Sequence, residues 1–579
     1  MTTDRRILTL ALAVLLPISL FAESGNIDRG DLYASSEVTI SVNGQTQEGN
    51  GTKKHLISNS YYNEDNPTEL PALDASRLFS ILYIYIGVPE GDYKAVVLQT
   101  DALLTTEAKL NLTTNELVPI TKTTTQVFTL KDVHIPSRQI PLVLYIPILP
   151  CDLSGHQLSV KVYDAEGNVY TVSGDLNGRK YEAGVTYHYF KGYVSLSATA
   201  DCTGLPLVMV NTANGDDIKS KDTWMEGSTL TIINSDGEAI NTIGKVKGRG
   251  NNTWALPKKP YAIKFSKKQT PFGFPANKDW ILLADYYDRT LLRTAFMSAI
   301  SRAAGIEWTI NYQHVNLFLN GKYNGVYVLT DKVEKSSNRI DIEDDGFIIE
   351  EDVYYQQEKL YFTSSLDNNF TFKYPDDDED IFKNDDNYNF IRNYINQMES
   401  ALTKLTDNPD DTSYQDFIDV TSFAKFHVAC AAFVLLDLNR YYVLPSRSSK
   451  LKMMPMWDSE WSLGLRHKSW GKTYPMLNDT SWDRFFYFKY LMKSPAFVAA
   501  VKAEWAKFKT KKQQIIDEIN TVRDNISTAQ IDNFNMWCDD AQRKKISFSF
   551  DTWEEEVDNI LQFFDERIDW LDGHYASMK

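Results

Sequence analysis

Cysteine is scarce: Cys151, Cys202, Cys430 and Cys538 are the only four in 579 residues. So few and so scattered, they exclude a disulfide-stapled scaffold and a four-cysteine structural zinc site. Cys151 and Cys202 flank one strand-rich segment, so a single bridge between them stays open. Cys430 sits in an apolar run, where a small core residue fits. Basic residues are also in deficit, with 60 Lys and Arg against 77 Asp and Glu, a net charge of −17 and a pI near 5.1. No general attraction to nucleic acid or to an anionic membrane follows from that balance. After residue 22 no stretch reaches the roughly 18 apolar residues of a membrane span, so no span is expected. No Cys follows the leading apolar run, which speaks against a lipid anchor at that point.

What is present is a globular composition: 43% hydrophobic, 24% charged and 13% aromatic, with 32 Tyr and 29 Phe. That aromatic load favours sheet, and the length favours two or three domains. Residues 1–22 read as a secretory signal, because Arg5 and Arg6 precede ILTLALAVLLPISLFA and Ala22 stands where cleavage would follow. Secretion to the cell surface or periplasm of a bacterium is the expectation. From 23 to 201, alternating runs broken by turn signals predict an all-β sandwich. Its segments YIYIGVPEGDYKAVVLQT and GDLNGRKYEAGVTYHYFKGYVSL resemble fimbrillin-type surface domains, which implies display or adhesion. An unrelated accessory sandwich fits the same rhythm.

A second pattern begins near 205. The run KVKGRGNNTW places Gly248, Arg249 and Gly250 after a strand, a turn whose backbone amides can approach a phosphate. The following strand, KKPYAIKF, carries Lys264 behind an Ala-Ile pair, as in the kinase strand that holds nucleotide phosphates. Its plain alternative is a solvated strand lysine among Lys258, Lys259, Lys267 and Lys268. Asp285, Asp288 and Arg293 suggest an internal ion-pair network. In GFIIEED, Glu350 and Asp352 stand two apart and compete as metal ligands or as a hydrolase dyad. The acids Asp376 to Asp380 read as a solvated loop.

Two acidic deliveries organise the C-terminal half. The apolar run FHVACAAFVLL ends at Asp437, and the strand KLKMMPMW ends at Asp458, with Glu460 two further on. On an extended chain Asp458 and Glu460 share a face. A rigidly held carboxylate facing an opening suits general-base work or Mg²⁺ coordination. Residues 480–579 follow helical periodicity and complete a helical lobe.

These blocks, with DWILLADYYDRTLLR and VNLFLNGKYNGVYVLTDKV between them, resemble the CotH family, the spore-coat-protein-H-like atypical kinases. The resemblance runs from about Leu205 to the C-terminus. It implies an α+β fold: an atypical protein-kinase-like two-lobe domain over 205–579, with an N-lobe about 205–350 and a helical C-lobe about 385–579, preceded by the all-β sandwich. It implies ATP and Mg²⁺ (or Mn²⁺) as nucleotide and metal, and Ser or Thr of an exported or cell-surface protein as acceptor. By the same resemblance Asp437 is catalytic, Asp458 holds metal, with Glu460 and Asn439 as further candidate ligands, and Gly248, Arg249, Gly250 and Lys264 meet the nucleotide. The chain departs from the family where Glu460 replaces an expected Asp, and where no Asn stands five residues after Asp437. The alternatives are a surface adhesin on a silent kinase-like scaffold, transfer of another group such as adenylyl, and a glycosidase using Glu350 or Asp458.

Overall fold

A computed structural model describes residues 33–37, 40–42, 45–47, 53–56, 80–86, 88–111, 117–136, 142–165, 169–172, 178–183, 185–190, 198–199, 205–234, 239–320, 322–375, 386–434, 440–458, 460–465, 487–537 and 552–578. The expected signal segment, Asp437, Asn439, Cys202, Cys538 and the acidic run 376–380 lie outside them. Helices and strands are both abundant, an α+β composition, and the chain divides into two compact units. The first is residues 1–200 with 211–216 and 236–241; the second is 201–210, 217–235 and 242–579.

The first unit is built from two main sheets. One is seven-stranded and centred on Gly91–Asn111, which pairs with Leu117–Ile135 and Leu158–Asp164; the other is five-stranded and centred on Ser80–Ile86 and Leu142–Ile148. Alternate residues of both, among them Ile84, Leu144, Leu98 and Val160, enter one buried core, so the sheets pack face to face. Turn signals break the sequence here into separate alternating runs, yet Gly91–Asn111 and Leu117–Ile135 run for 21 and 19 residues. The threonine-rich stretch 121–125 carries the ladder on, and register shifts such as that between Gln99 and Leu104 interrupt so long a hairpin. Cys151 has no disulfide partner among the described residues, and burial, then Asp152, pushes its thiol up to about 11.

The second unit opens with a closed seven-stranded barrel. Its strands are β1 (Leu207–Asn211), β2 (Met225–Ile233), β3 (Ala239–Gly248), β4 (Tyr261–Gln269), β5 (Asn277–Leu283), β6 (Tyr312–Leu319) and β7 (Lys322–Asp331). The barrel order is β1-β2-β3-β4-β5-β7-β6, and β6 closes on β1 in parallel. Helix α1 (Arg293–Ala304) interrupts it and is buried along nearly its whole length. Gly305, in the left-handed region at φ 71°, ends that helix.

A second, five-stranded sheet follows, with strands β8 (Phe347–Glu351), β9 (Tyr361–Thr363), β10 (Asn369–Tyr374), β11 (Arg440–Leu444) and β12 (Lys452–Met453) in the order β9-β10-β8-β11-β12. Around it lie α2 (Asp386–Lys404), α3 (Val420–Phe433), α4 (Pro495–Phe508), α5 (Lys512–Ile526), α6 (Ala529–Trp537) and α7 (Trp553–Ser577), besides short turns of helix. Asp419 caps α3 through the Ser422 amide, and Thr552 with Glu555 forms a capping box on α7. One continuous apolar core joins α1, the second sheet and these helices.

Candidate functional site

Strand β3 ends at Gly248, and the turn after it delivers Arg249. Gly248 is needed for packing: a Cβ there would lie 2.3 Å from the Trp254 ring. The Gly248 amide donates to Ser220 O at 2.8 Å, and the Arg249 amide to Pro260 O at 3.2 Å. Those two amides are therefore already used, and Gly250 turns the chain at φ 84°. The group presented is the Arg249 side chain, half-buried, with its guanidinium 5.6 Å from the Trp457 ring centroid. Burial pushes its pKa down, against the pull of Asp458, Tyr441, Glu350 and Glu460. Four groups from three separate stretches thus bear electrostatically on one cation.

The second acidic delivery differs from the expectation of a shared face. Met454, Pro455, Met456 and Trp457 are buried, but Asp458 adopts φ 64° in the left-handed region. That conformation breaks strand alternation, so Asp458 is half-exposed while Glu460 turns inward and is 8% exposed. Burial pushes the Glu460 carboxyl well up, and Asp285, Asp458 and Asp288 push it further, while the Tyr287 amide donates to it.

The loop carrying Glu460 is bolted from behind by Arg293, whose Nε donates to Ser462 O at 3.0 Å and Nη2 to Leu463 O at 3.3 Å. Asp288 pairs with the same guanidinium and accepts from the Thr290 and Arg293 amides at 3.1 and 2.7 Å. The network suggested by the sequence thus exists between Asp288 and Arg293. Asp285 stands apart from that pair. It is 6% exposed and takes the Thr294 hydroxyl, and its Oδ2 meets no partner among the described residues. Burial first, then Asp288, raises it to about 7. It shares a small cavity with Lys258, Arg289 and Phe534.

The second sheet supplies the floor. Glu350 of β8 lies opposite Tyr441 of β11, which donates its hydroxyl to the carboxylate. On the other side Lys373 of β10 places Nζ 2.8 Å from Glu350 Oε2. Asp352 lies beyond the strand end and accepts from the Tyr354 amide at 2.7 Å. Glu350 and Asp352 therefore do not act as a facing pair.

Of the residues singled out in the sequence, Arg249, Asp458 and Glu460 come together. Lys264 does not join them: its Nζ is 3.0 Å from Asp279 Oδ2, directly across the ladder from β4 to β5. The lysine buried in the field of Asp285 is Lys258, whose Nζ donates to Val326 O at 2.5 Å and lies 4.7 Å from the Tyr327 ring centroid. Its signal was weak, one Lys in a run of basic residues. Glu350 was visible but had no sequence feature linking it to Arg249. Tyr441, an aromatic shortly after Asp437, has no sequence feature that marks it either.

Among the described residues no three His, Cys, Asp or Glu side chains are grouped to cage a metal. Mg²⁺ needs no such cage: it commonly keeps waters and takes one or two carboxylates plus substrate phosphates. A half-exposed Asp458 beside a half-buried arginine fits that mode. A family model described as CotH kinase protein matches residues 246–571, more than half of the chain. No curated protein matches the chain.

Proposed function

The chain belongs to the CotH kinase family, and from that premise we propose a Mg²⁺-dependent atypical protein kinase that moves the ATP γ-phosphoryl group to Ser or Thr of exported proteins. The observation that carries this reading is the meeting of Arg249 and the Asp458 segment: the guanidinium lies 5.6 Å from the Trp457 ring centroid, and the next residue, Asp458, is a half-exposed carboxylate in whose field it stands. Phosphoryl transfer asks for this combination, because the protein mainly positions phosphates and balances their charge. Arg249 would grip phosphate oxygens through its planar fork. Asp458, with Glu460 behind it, would hold Mg²⁺, which supplies charge neutralisation at the phosphates when bound. The chain's own contribution is rigidity: Arg293 and Asp288 fix the loop that bears these acids.

Asp437 would accept the acceptor hydroxyl proton as that oxygen bonds to the γ-phosphorus and the bond to the ADP oxygen breaks. Asn439 lies beside it in sequence as a further metal candidate. A nucleotide contact by Lys264 would require its ion pair with Asp279 to open. The kinase-like two-lobe arrangement would make the barrel the nucleotide-side lobe and the helices after 385 the acceptor-side lobe. The signal-like residues 1–22 support placing the reaction outside the cytoplasm. The β unit, with its fimbrillin-like rhythm, would then display the kinase at the cell surface.

The test is transfer of label from γ-labelled ATP to Ser or Thr of secreted proteins by the full chain with Mg²⁺. Label that disappears in Asp437→Asn and in Asp458→Ala supports the proposal. A folded chain that binds ATP but labels nothing, itself included, overturns transfer to protein, and AMP retained on an acceptor redirects it to adenylyl transfer.

A further inference from the structure

The loop between β1 and β2 runs alongside the Gly-containing turn, because Ser220 O accepts the Gly248 amide at 2.8 Å. Its next residue, the half-buried Lys221, places Nζ 3.2 Å from Asn251 Oδ1 on that turn and 3.3 Å from Gln357 Oε1 on the loop after β8. The neighbouring Asn252 donates Nδ2 to the Tyr354 hydroxyl at 2.8 Å, a further tie between the same turn and loop. The register of the second sheet locates this junction. Glu351, the last residue of β8, lies opposite Arg440, the first of β11, and Met453 lies opposite Tyr442. The loop after β8 therefore leaves the sheet at the end where β11 begins, and the chain from Met453 to Asp458 heads toward that same end. Asp437 stands three residues before Arg440 in the sequence. From the turn itself, the Arg249 guanidinium reaches to 5.6 Å from the Trp457 ring centroid. Lys221 is thus held where the Gly-containing turn faces the acidic end of the second sheet.

Both partners of Lys221 are neutral amide oxygens. An ammonium has three donors, and among the described residues these amides take two of them, with no ion pair to a carboxylate. The strand lysines nearby differ: Lys245 pairs with Glu226 at 2.9 Å and Lys264 with Asp279 at 3.0 Å. Lys221 therefore keeps its charge and one donor for an anion, on a side chain already held in place. From this arrangement we infer that Lys221 is a phosphate-binding residue of the nucleotide site, filling the role that the sequence suggested for Lys264. The inference rests on the phosphoryl-transfer reading. Lys221 lies ahead of the matched residues 246–571, so the family match leaves it unassigned. The two cations complement each other chemically, since Arg249 offers a planar fork and Lys221 a point charge that suits any phosphate oxygen within reach.

The experiment is calorimetric titration of the full chain with ATP and Mg²⁺, comparing wild type, Lys221→Ala, Lys221→Gln and Gln357→Ala. Unfolding temperatures without nucleotide report whether each variant is folded. Lys221→Ala and Lys221→Gln should each weaken ATP binding by about 10-fold, as for one lost charge-assisted hydrogen bond. Gln357→Ala cuts the tie to the loop after β8 but spares the cation, and it should leave ATP affinity within about twofold. A lysine that only tethers the loops would give the opposite pattern, with Gln357→Ala losing as much as Lys221→Ala. That equal loss, or wild-type affinity in folded Lys221→Ala, overturns the inference while leaving the kinase reading intact. Should Lys221→Ala not fold, Lys221→Gln carries the same comparison. A wild-type chain that binds no ATP overturns the kinase reading and this inference with it.

Discussion

The residue that decides the site is Arg249, and the instructive contrast is Lys264. Both lie near the Gly-containing turn, but β4 buries Tyr261, Ile263 and Phe265, so strict alternation sends Lys264 to the other face. There it pairs with Asp279, and its side chain stays 38% exposed. Lys264→Ala should cost no more than about 1 kcal/mol of stability, as for an exposed ion pair, and should leave ATP affinity within about twofold, whereas Arg249→Ala should weaken it by about 10-fold or more, as for a lost charge-assisted bond. Calorimetry with urea unfolding checks both; a large loss of ATP affinity in Lys264→Ala would restore that lysine as the phosphate contact. The face of Lys264 was legible in the sequence, since Tyr-x-Ile-x-Phe announces which residues point inward. The local likeness to the kinase Ala-Ile-Lys outweighed it. Asp458 and Glu460 were legible as acids delivered by an apolar segment, but a left-handed φ at a non-glycine residue leaves no mark in a sequence, so their opposite exposures were not.

At the scale of elements, the run VNLFLNGKYNGVYVLTDKV carries two Asn-Gly pairs; the first, at 320–321, is a hairpin signal, and β6 and β7 do pair across it, Leu319 opposite Lys322, with Asn320 at φ 47°. The second signal, at Asn324 and Gly325, has a different use. Gly325 lies at a register shift with φ 98°, and a Cβ there would meet Asn533 Oδ1 and Trp537 Nε1, each at 2.7 Å. Both groups come from α6, which docks on this strand through Val326 N to Asn533 Oδ1 at 3.1 Å and Trp537 Nε1 to Asn324 O at 2.9 Å. Gly325→Ala should therefore destabilise the chain by about 1–3 kcal/mol, through backbone strain and loss of this docking. Thr552→Ala, which removes the capping box of α7, should cost about 1 kcal/mol. Shifts of the urea midpoint at constant slope would confirm both, and an unchanged midpoint in Gly325→Ala would contradict the docking account. Contacts such as that of Gly325 with α6 join residues some 200 positions apart, as the spacing of Val326 and Asn533 shows. Local pattern identifies the elements and is silent on such pairings.

For the whole molecule, the buried acids of the second unit set a pH dependence. Burial pushes Glu351 up to about 7, against Arg440 and the Tyr442 hydroxyl. A carboxyl raised on folding contributes stability that is full below its unfolded pKa of about 4.3 and is lost as pH rises through the folded value. Between about pH 4.5 and 7.5, wild type should therefore lose stability relative to Glu351→Gln, and parallel pH profiles of the two urea midpoints would contradict this assignment. Asp285, raised to about 7, adds to the wild-type slope in the same direction; His314, held at about 4 by burial, opposes it between its folded and unfolded values. The α+β composition, the sheet-rich first unit and the CotH family were all legible from alternation and ordered motifs. The closed barrel was not, because closure is a property of strand order that periodicity does not encode.

The central claim, a nucleotide–metal site at Asp458, is tested most directly by thermal unfolding of the full chain with millimolar ATP, with and without Mg²⁺, beside Asp458→Ala. Ligand that binds the folded state raises the unfolding temperature by mass action. The account predicts a rise that needs both ATP and Mg²⁺ and disappears in a folded Asp458→Ala chain. No rise in wild type, or an equal rise in Asp458→Ala, would contradict it.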